Sequence, residues 1–146
     1  MIDNSAKKIE KQHRVKPWAL LDVKSIIDER GELFVVEEND TTPFKIKRFF
    51  VVRSAKGVRG CHAHRKTYQF LFPLRGTLDV YLESIFFNEE LTLTSPSIGL
   101  LIPPLVWSEQ RNFSDDVIYC VAASEKYQAD DYITDRNLLT KIMCRM

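Results

Sequence analysis

Short apolar or alternating segments recur along the chain and are separated by turn residues. Thr77 to Glu83 alternates, with Leu78, Val80 and Leu82 on one side, which predicts a strand with one buried face. Similar segments recur at a spacing of roughly 8–12 residues, which is typical of an antiparallel sandwich or small barrel. They cover residues 33–37, 44–52, 68–74, 91–94, 98–102 and 117–122.

The two ends of the chain have different patterns. Residues 1–16 are polar and lack a clear period, which predicts a loose arm or a short helix. Residues 17–146 are expected to form a single domain, because no linker or repeat divides them. The stretch from Ala129 to Met143 predicts a short C-terminal helix, since apolar residues recur there at helical spacing, namely Tyr132, Ile133, Leu138, Leu139 and Ile142.

Composition narrows the class of protein. The 146 residues are 45% hydrophobic, enough for one core, and 21 basic against 20 acidic residues argue against a nucleic-acid binder. No apolar run approaches the ~20 residues of a membrane span, and the N-terminus lacks a secretory signal. Three cysteines without a close pair favour a reduced, cytoplasmic setting and no disulfide framework.

The most informative stretch is Gly60-Cys61-His62-Ala63-His64. If it is extended, both imidazoles project from the same face. Gln69 follows five residues after His64, and Gly76 seven residues later. This order matches the first motif of the cupin jelly roll, with Gln69 in place of the usual acid.

A partial second cupin motif follows, in Gly99, Pro103, Ser108 and Asn112, where Ser108 replaces a third histidine. Iron, manganese or zinc sites of this type need imidazoles and a carboxylate, so the sequence favours a metal-free site. A two-histidine metal site completed by water and an outside carboxylate is the alternative. Two imidazoles without a metal suit proton transfer, because imidazole titrates near neutral pH. Histidines that only form hydrogen bonds within a strand are the structural alternative.

Basic residues surround the same region. Arg48 and Arg59 would hold a diphosphate if both face one cavity, because guanidinium binds phosphate through two hydrogen bonds. A solvated charged rim explains them equally well. Trp107 either walls the pocket or fills the core.

The sequence resembles the nucleotide-sugar 3,4-ketoisomerases of dTDP-sugar biosynthesis, the WxcM-like cupins. The resemblance spans about residues 20 to 140 and follows the family's motifs in order. The matching segments are 28–31, 37–39, 43–48, 59–64, Gln69, 97–100, 106–109, 123–125, Tyr127 and 131–133.

The resemblance implies an all-β, RmlC-like jelly roll (a double-stranded β-helix) that acts as a homodimer without metal or cofactor. It implies an isomerase of deoxysugar and polysaccharide biosynthesis that moves the keto group of dTDP-4-keto-6-deoxyglucose from C4 to C3 through an enediol(ate). By this resemblance His62 is the base at C3 and His64 its partner in proton shuttling. Arg48 and Arg59 would bind substrate, and Gln69 would orient a histidine or a sugar hydroxyl.

The chain departs from the family at two positions. Phe50 stands where a tyrosine is usual, and Ser108 stands where histidine or arginine follows Trp107. In the family, the residues at the positions of Arg30 and Ser108 accompany the stereochemistry at C4. We therefore include Arg30, Trp107 and Ser108 among the expected substrate-binding residues. A nucleotide-sugar-binding cupin without turnover, a dTDP-sugar 3,5-epimerase and a metal-dependent cupin are the alternatives.

Overall fold

The computed structural model describes residues 15–146, which form twelve strands and one α-helix. A 3₁₀ turn at Ala129–Asp131 precedes the last strand, and helix α1 (Arg136–Cys144) follows it. The strands are β1 (Ala19–Asp22), β2 (Lys24–Asp28), β3 (Gly31–Val35), β4 (Arg48–Arg53), β5 (Arg59–His64), β6 (Gln69–Arg75), β7 (Leu78–Glu83), β8 (Asn88–Leu93), β9 (Ile98–Ile102), β10 (Trp107–Arg111), β11 (Ile118–Ala123) and β12 (Tyr132–Ile133).

Ten of these strands form two five-stranded sheets. The first has the order β1-β9-β6-β11-β4, the second the order β12-β5-β10-β7-β8, and β2 and β3 form a separate hairpin. Neighbouring strands are antiparallel throughout. The predicted all-β jelly roll with a short C-terminal helix is confirmed.

Apolar side chains from both sheets fill the space between them. In β7 the alternation confirms the prediction, since Leu78, Val80 and Leu82 are completely buried. Burial of this kind stabilises the fold by roughly 1.5–3 kcal/mol per large aliphatic side chain. The remaining members of this central core are Trp18, Leu71, Leu93, Leu100, Ile102, Val106, Val117, Tyr119 and Val121.

Two smaller clusters cover the outer faces of the sheets. Phe70 and Phe72 of β6 pack with Phe44 and with Phe34 of the hairpin, so β6 is buried on both faces. On the other side, Leu139 of α1 packs on Ala63, Trp107 and Ile133. The helix therefore fixes the C-terminal segment against β5, the strand that carries the two histidines.

The structure corrects several predicted boundaries. The strand predicted at residues 44–52 begins only at Arg48, and Phe44 belongs to a loop. The helix predicted from Ala129 begins at Arg136, because the Asp135 side chain accepts a hydrogen bond from the backbone N–H of Asn137 at 2.8 Å and caps it. Tyr132 and Ile133, expected on that helix, pair instead with His64 and Ala63 in the second sheet.

The predicted N-terminal arm lies almost wholly outside the described residues. Of its sixteen positions only Val15 and Lys16 are described, and the Lys16 ammonium forms an ion pair with Glu89 at 3.0 Å. No helix within residues 15–146 is long and apolar enough to cross a membrane. Cys61, Cys120 and Cys144 are free thiols.

Candidate active site

An irregular backbone at the start of β5 positions the histidines. Gly60 and Cys61 both have positive φ angles, +83° and +55°. A Cβ atom at Gly60 would lie 2.9 Å from the carbonyl oxygen of Ser108, so the close approach of β10 requires glycine. The β5–β10 register also shifts between Ser108 and Glu109. Beyond this irregularity β5 is regular, and Ala63 faces the helix while the flanking histidines face inward.

The two imidazoles form a close pair, which confirms the predicted common face. Their Nε2 atoms are 3.2 Å apart, and the ring centroids are 4.8 Å apart in an edge-to-face arrangement. His62 Nδ1 donates to the carbonyl oxygen of Gly60 at 2.9 Å, since a carbonyl can only accept. His64 Nδ1 lies 2.9 Å from Oδ2 of Asp131. In each imidazole a hydrogen-bond partner occupies Nδ1, so Nε2 is the nitrogen directed toward the other ring.

Asp131 is a buried carboxylate behind His64. It is 4% exposed, and it accepts hydrogen bonds from the Thr67 hydroxyl and from the backbone N–H of Lys66 at 2.8 Å. Burial raises the pKa of Asp131, but the hydrogen bonds from Thr67, Lys66 and His64 outweigh burial and lower it overall. Asp131 is therefore ionised at neutral pH.

The surroundings keep both histidines neutral at pH 7. Burial lowers the pKa of His62, and the Arg48 guanidinium lowers it further, although the Gly60 carbonyl and Asp131 oppose this. Burial also lowers the pKa of His64. The hydrogen bond to Asp131 acts against this lowering, whereas His62 and Arg48 lower the pKa further. A neutral imidazole whose Nε2 carries a lone pair can accept a proton, as a general base must.

Arg48 and Tyr132 stand beside the histidine pair. The Tyr132 ring centroid lies 4.8 Å from that of His62 and 4.5 Å from that of His64. The Arg48 guanidinium is 3.4 and 3.5 Å from the Tyr132 hydroxyl, and it stacks over Phe50 at 4.8 Å and Tyr127 at 5.5 Å. Arg48 is thus held in place by aromatic rings rather than by a carboxylate.

A cavity of about 170 Å³ lies between the sheets in front of these groups. It is lined by four of the expected residues, Arg48, Arg59, His62 and Gln69, and His64 lies directly behind His62. The lining also includes polar side chains that the sequence did not suggest, namely Gln110, Tyr119 and Tyr132. The Tyr119 hydroxyl faces Arg59, and burial raises the pKa of Tyr119 while Arg59 opposes this.

Three expected binding residues lie outside the cavity lining. Ser108 is buried beside His62 across the strands, and its hydroxyl accepts a hydrogen bond from Gln110 at 3.4 Å. Trp107 belongs to the cluster beneath helix α1, so its position supports core packing and not substrate contact. Arg30 is at the turn of the β2–β3 hairpin, where its side chain is 85% exposed and pairs with Asp28.

Within residues 15–146 there is no group of three or more His, Cys, Asp or Glu side chains arranged to hold a metal ion. The acid position of the cupin motif holds Gln69 and the third histidine position holds Ser108. Neither supplies the charged or imidazole ligand that such metals prefer. Metal-independent action stays a prediction.

Comparison with known proteins identifies the family. Residues 16–143 match the family described as "FdtA: WxcM-like, C-terminal". The chain belongs to this family. The TDP-4-oxo-6-deoxy-alpha-D-glucose-3,4-oxoisomerase of Aneurinibacillus thermoaerophilus is 40% identical over 129 residues, which cover 87% of this chain and 93% of that protein. The resemblance noted in the sequence is therefore confirmed.

Solved structures agree with this assignment. The 3,4-ketoisomerase QdtA from Thermoanaerobacterium thermosaccharolyticum, in complex with TDP, has a TM-score of 0.85 at 32% identity and covers 90% of this chain and 97% of its own. A His-to-Asn mutant of QdtA has been solved with TDP-4-keto-6-deoxyglucose. The dTDP-6-deoxy-D-glucose-3,5-epimerase RmlC from Legionella pneumophila shares only the fold with this chain, at 15% sequence identity. Its TM-score is 0.69, and the match covers 82% of this chain and 73% of that protein.

Proposed function

We propose that the protein moves the keto group of TDP-4-keto-6-deoxyglucose from C4 to C3. The observation that carries this proposal is the His62–His64 pair, of which His62 lines a cavity together with Arg48 and Arg59. The reaction needs a base next to C3 and a route that returns the proton to C4. Two neutral imidazoles 3.2 Å apart supply both, and QdtA and the Aneurinibacillus enzyme are named for this chemistry.

In the proposed mechanism His62 Nε2 removes the proton from C3. The C3–H bond breaks, its electron pair forms the C3–C4 double bond, and the C4 carbonyl becomes an enolate oxygen. Transfer of the O3 proton to O4 moves the negative charge of the enediolate to O3, and return of a proton to C4 then gives the 3-keto sugar with a hydroxyl at C4. His64 receives or supplies protons at its own Nε2, and Arg48 offers a positive charge that favours the enolate.

The rest of the cavity supports recognition of a sugar diphosphate. In β5, Arg59 at the start of the strand pairs with Gln110, whereas His64 at its end pairs with Tyr132. Arg59 is therefore separated along the strand from Tyr132 and from the Arg48 guanidinium beside it. We assign the diphosphate to Arg59 and the reacting sugar to the histidine end. The Gln69 amide makes no hydrogen bond to any residue in the described part of the chain, and it is assigned to a sugar hydroxyl.

We also propose that the enzyme acts as a homodimer. The β2–β3 hairpin pairs only with itself among the described strands, and it exposes the cross-strand pair Ile26 and Leu33. The open edge strand β4 exposes Phe49 and Val51 as well. A second copy of the chain would cover these apolar side chains. Light scattering should then report a dimer, and Leu33→Lys should shift the protein toward monomer.

Incubation with TDP-4-keto-6-deoxyglucose in deuterated water tests the reaction. The proposal predicts a 3-keto product with deuterium at C4, seen by proton NMR, and no product with His62→Asn. Lys66→Gln, a change of an exposed side chain outside the cavity, is the matched control and should turn over normally. No new product together with no exchange at C3 would show that the assignment is wrong.

A binding protein without turnover is the second candidate, and Phe50 is the observation that favours it. Its ring lies under Arg48 at 4.8 Å and cannot donate a proton where the family usually has a hydroxyl. Calorimetry with TDP separates the two functions. Tight binding that survives His62→Asn, in a wild-type protein that shows no turnover, would support the binding protein.

A further inference from the structure

Asp131 has the surroundings of a residue that acts through its neighbour. Its carboxylate is absent from the cavity lining and is linked to the cavity through His64 and then His62. Three donors converge on it, namely Thr67, the backbone N–H of Lys66 and His64 Nδ1. A buried carboxylate is costly unless its lone pairs are satisfied, and no cation from Lys or Arg pairs with it among the described residues. A neutral side chain would fill a purely structural role at a lower desolvation cost.

The contacts of the two histidines determine where their protons lie. Because the Gly60 carbonyl accepts from His62 Nδ1, the His62 lone pair lies on Nε2. Because Asp131 is ionised, His64 must also carry its proton on Nδ1. In the neutral pair both lone pairs are then directed to the space between the Nε2 atoms, which are 3.2 Å apart. This gap has room for one proton held by both nitrogens.

We propose that Asp131 is the positioning residue of the reaction: it fixes the Nδ1–H tautomer of His64, so that a proton taken up by the pair is shared between the two Nε2 atoms. This inference rests on the proposed function for its catalytic meaning. When His62 accepts the proton from C3, an Nε2–H bond forms and the pair gains one positive charge. The Asp131 carboxylate balances that charge at 2.9 Å from His64, while Arg48 opposes it. The proton on the pair is then available for return to C4.

Nitrogen NMR of the wild-type protein tests the tautomer without any substrate. In protein labelled with ¹⁵N-histidine, both residues should give the Nδ1–H pattern at neutral pH, with Nε2 showing the shift of an unprotonated nitrogen. On acidification the two Nε2 signals should move together, since one proton serves both rings. A His64 signal with the proton on Nε2 in the wild-type protein would overturn the proposal. Because this measurement needs no turnover, it stands even if the ketoisomerase assignment fails.

Asp131→Asn and Asp130→Asn form a matched pair of variants, because Asp130 is the exposed carboxylate next to the buried one. The backbone N–H of Lys66 requires an acceptor at the position of Oδ1, so the asparagine NH₂ group takes the position of Oδ2 and donates to His64 Nδ1. The His64 proton then moves to Nε2, and the balancing charge is lost. We expect kcat to fall about 10²-fold or more, with KM within a few fold, because Asp131 does not line the cavity. Loss of the carboxylate should also move the acid limb of the kcat profile to lower pH. Asp130→Asn removes the same charge from an exposed side chain and keeps the Asp131 carboxylate, so its tautomer pattern should be unchanged and its kcat within a few fold.

Other outcomes contradict the inference. If Asp131→Asn lowers the melting temperature but leaves kcat, the pH profile and the ¹⁵N pattern as in the wild type, Asp131 is structural only. If Asp130→Asn reduces kcat as much as Asp131→Asn does, the loss of any negative charge from this 3₁₀ turn is responsible and not the contact of Asp131 with His64. Should Asp131→Asn fail to fold, the wild-type ¹⁵N spectrum still decides whether the tautomer is the one proposed.

Discussion

The glycine of the second cupin motif offers a sharp test of the packing. Gly99 in β9 faces Phe70, which is completely buried. A Cβ atom at Gly99 would lie 2.1 Å from Cζ of Phe70 and 2.5 and 2.8 Å from two other ring atoms. Gly99 has no positive φ, so the cost of Gly99→Ala is steric and not conformational. Overpacking of this kind costs about 1–3 kcal/mol, which corresponds to a melting temperature lower by roughly 2–12 °C.

Thermal and urea unfolding followed by circular dichroism measure this effect. The double variant Gly99→Ala with Phe70→Leu removes the ring that the new methyl group meets. The double variant should therefore lose less stability than the sum of the losses in the two single variants, with a coupling energy of about 0.5–3 kcal/mol. A melting temperature of Gly99→Ala equal to that of the wild type, or two single effects that simply add, would refute the reasoning.

Three further predictions concern the site. The pKa values of His62 and His64 are lowered from 6.5, so below that pH the unfolded chain binds more protons than the folded one. The free energy of unfolding, measured with urea, should therefore fall as pH falls below 6.5. A free energy of unfolding that does not change with pH in this range would contradict the prediction. Arg48→Lys keeps the charge but loses the planar stacking and the contact to the Tyr132 hydroxyl, so kcat/KM should fall about tenfold; Lys47→Arg, whose side chain pairs with Glu125, is the control and should have little effect. Tyr119→Phe removes the hydroxyl beside Arg59 and should raise KM about tenfold or more with little change in kcat; an unchanged KM would show that Tyr119 does not contact the substrate.

Local patterns predicted the parts of this protein that local forces determine. The alternation in β7 and the apolar run at β9 identified strands at the right positions, because one-sided burial leaves a period of two in the sequence. The same period placed His62 and His64 on one face. Strand β5 could not be predicted from apolar alternation. Its first four residues, Arg59-Gly60-Cys61-His62, are polar residues, glycine and cysteine instead of alternating aliphatic and polar residues.

Contacts between distant segments could not be predicted in this way. Asp131 lies 67 residues after His64, and a carboxylate flanked by Asp130 and Tyr132 looks like part of an exposed helix. The register that pairs Tyr132 with His64 is set by the packing of Ile133 and Leu139 on the second sheet. A better local clue was Asp135 before Arg136-Asn137, which is a typical helix start and would have left Tyr132 outside the helix.

The order of these segments along the chain has a consequence for biosynthesis. The histidines lie in β5, whereas Asp131 and Tyr132 follow β11 and therefore leave the ribosome after it. A nascent chain that has emerged only as far as β11 has every other strand of the two sheets but neither the carboxylate nor the phenol ring behind the imidazoles. The pocket is therefore completed only after the segment that follows β11 has emerged, and a premature stop after β11 would give a sheet framework with an incomplete site.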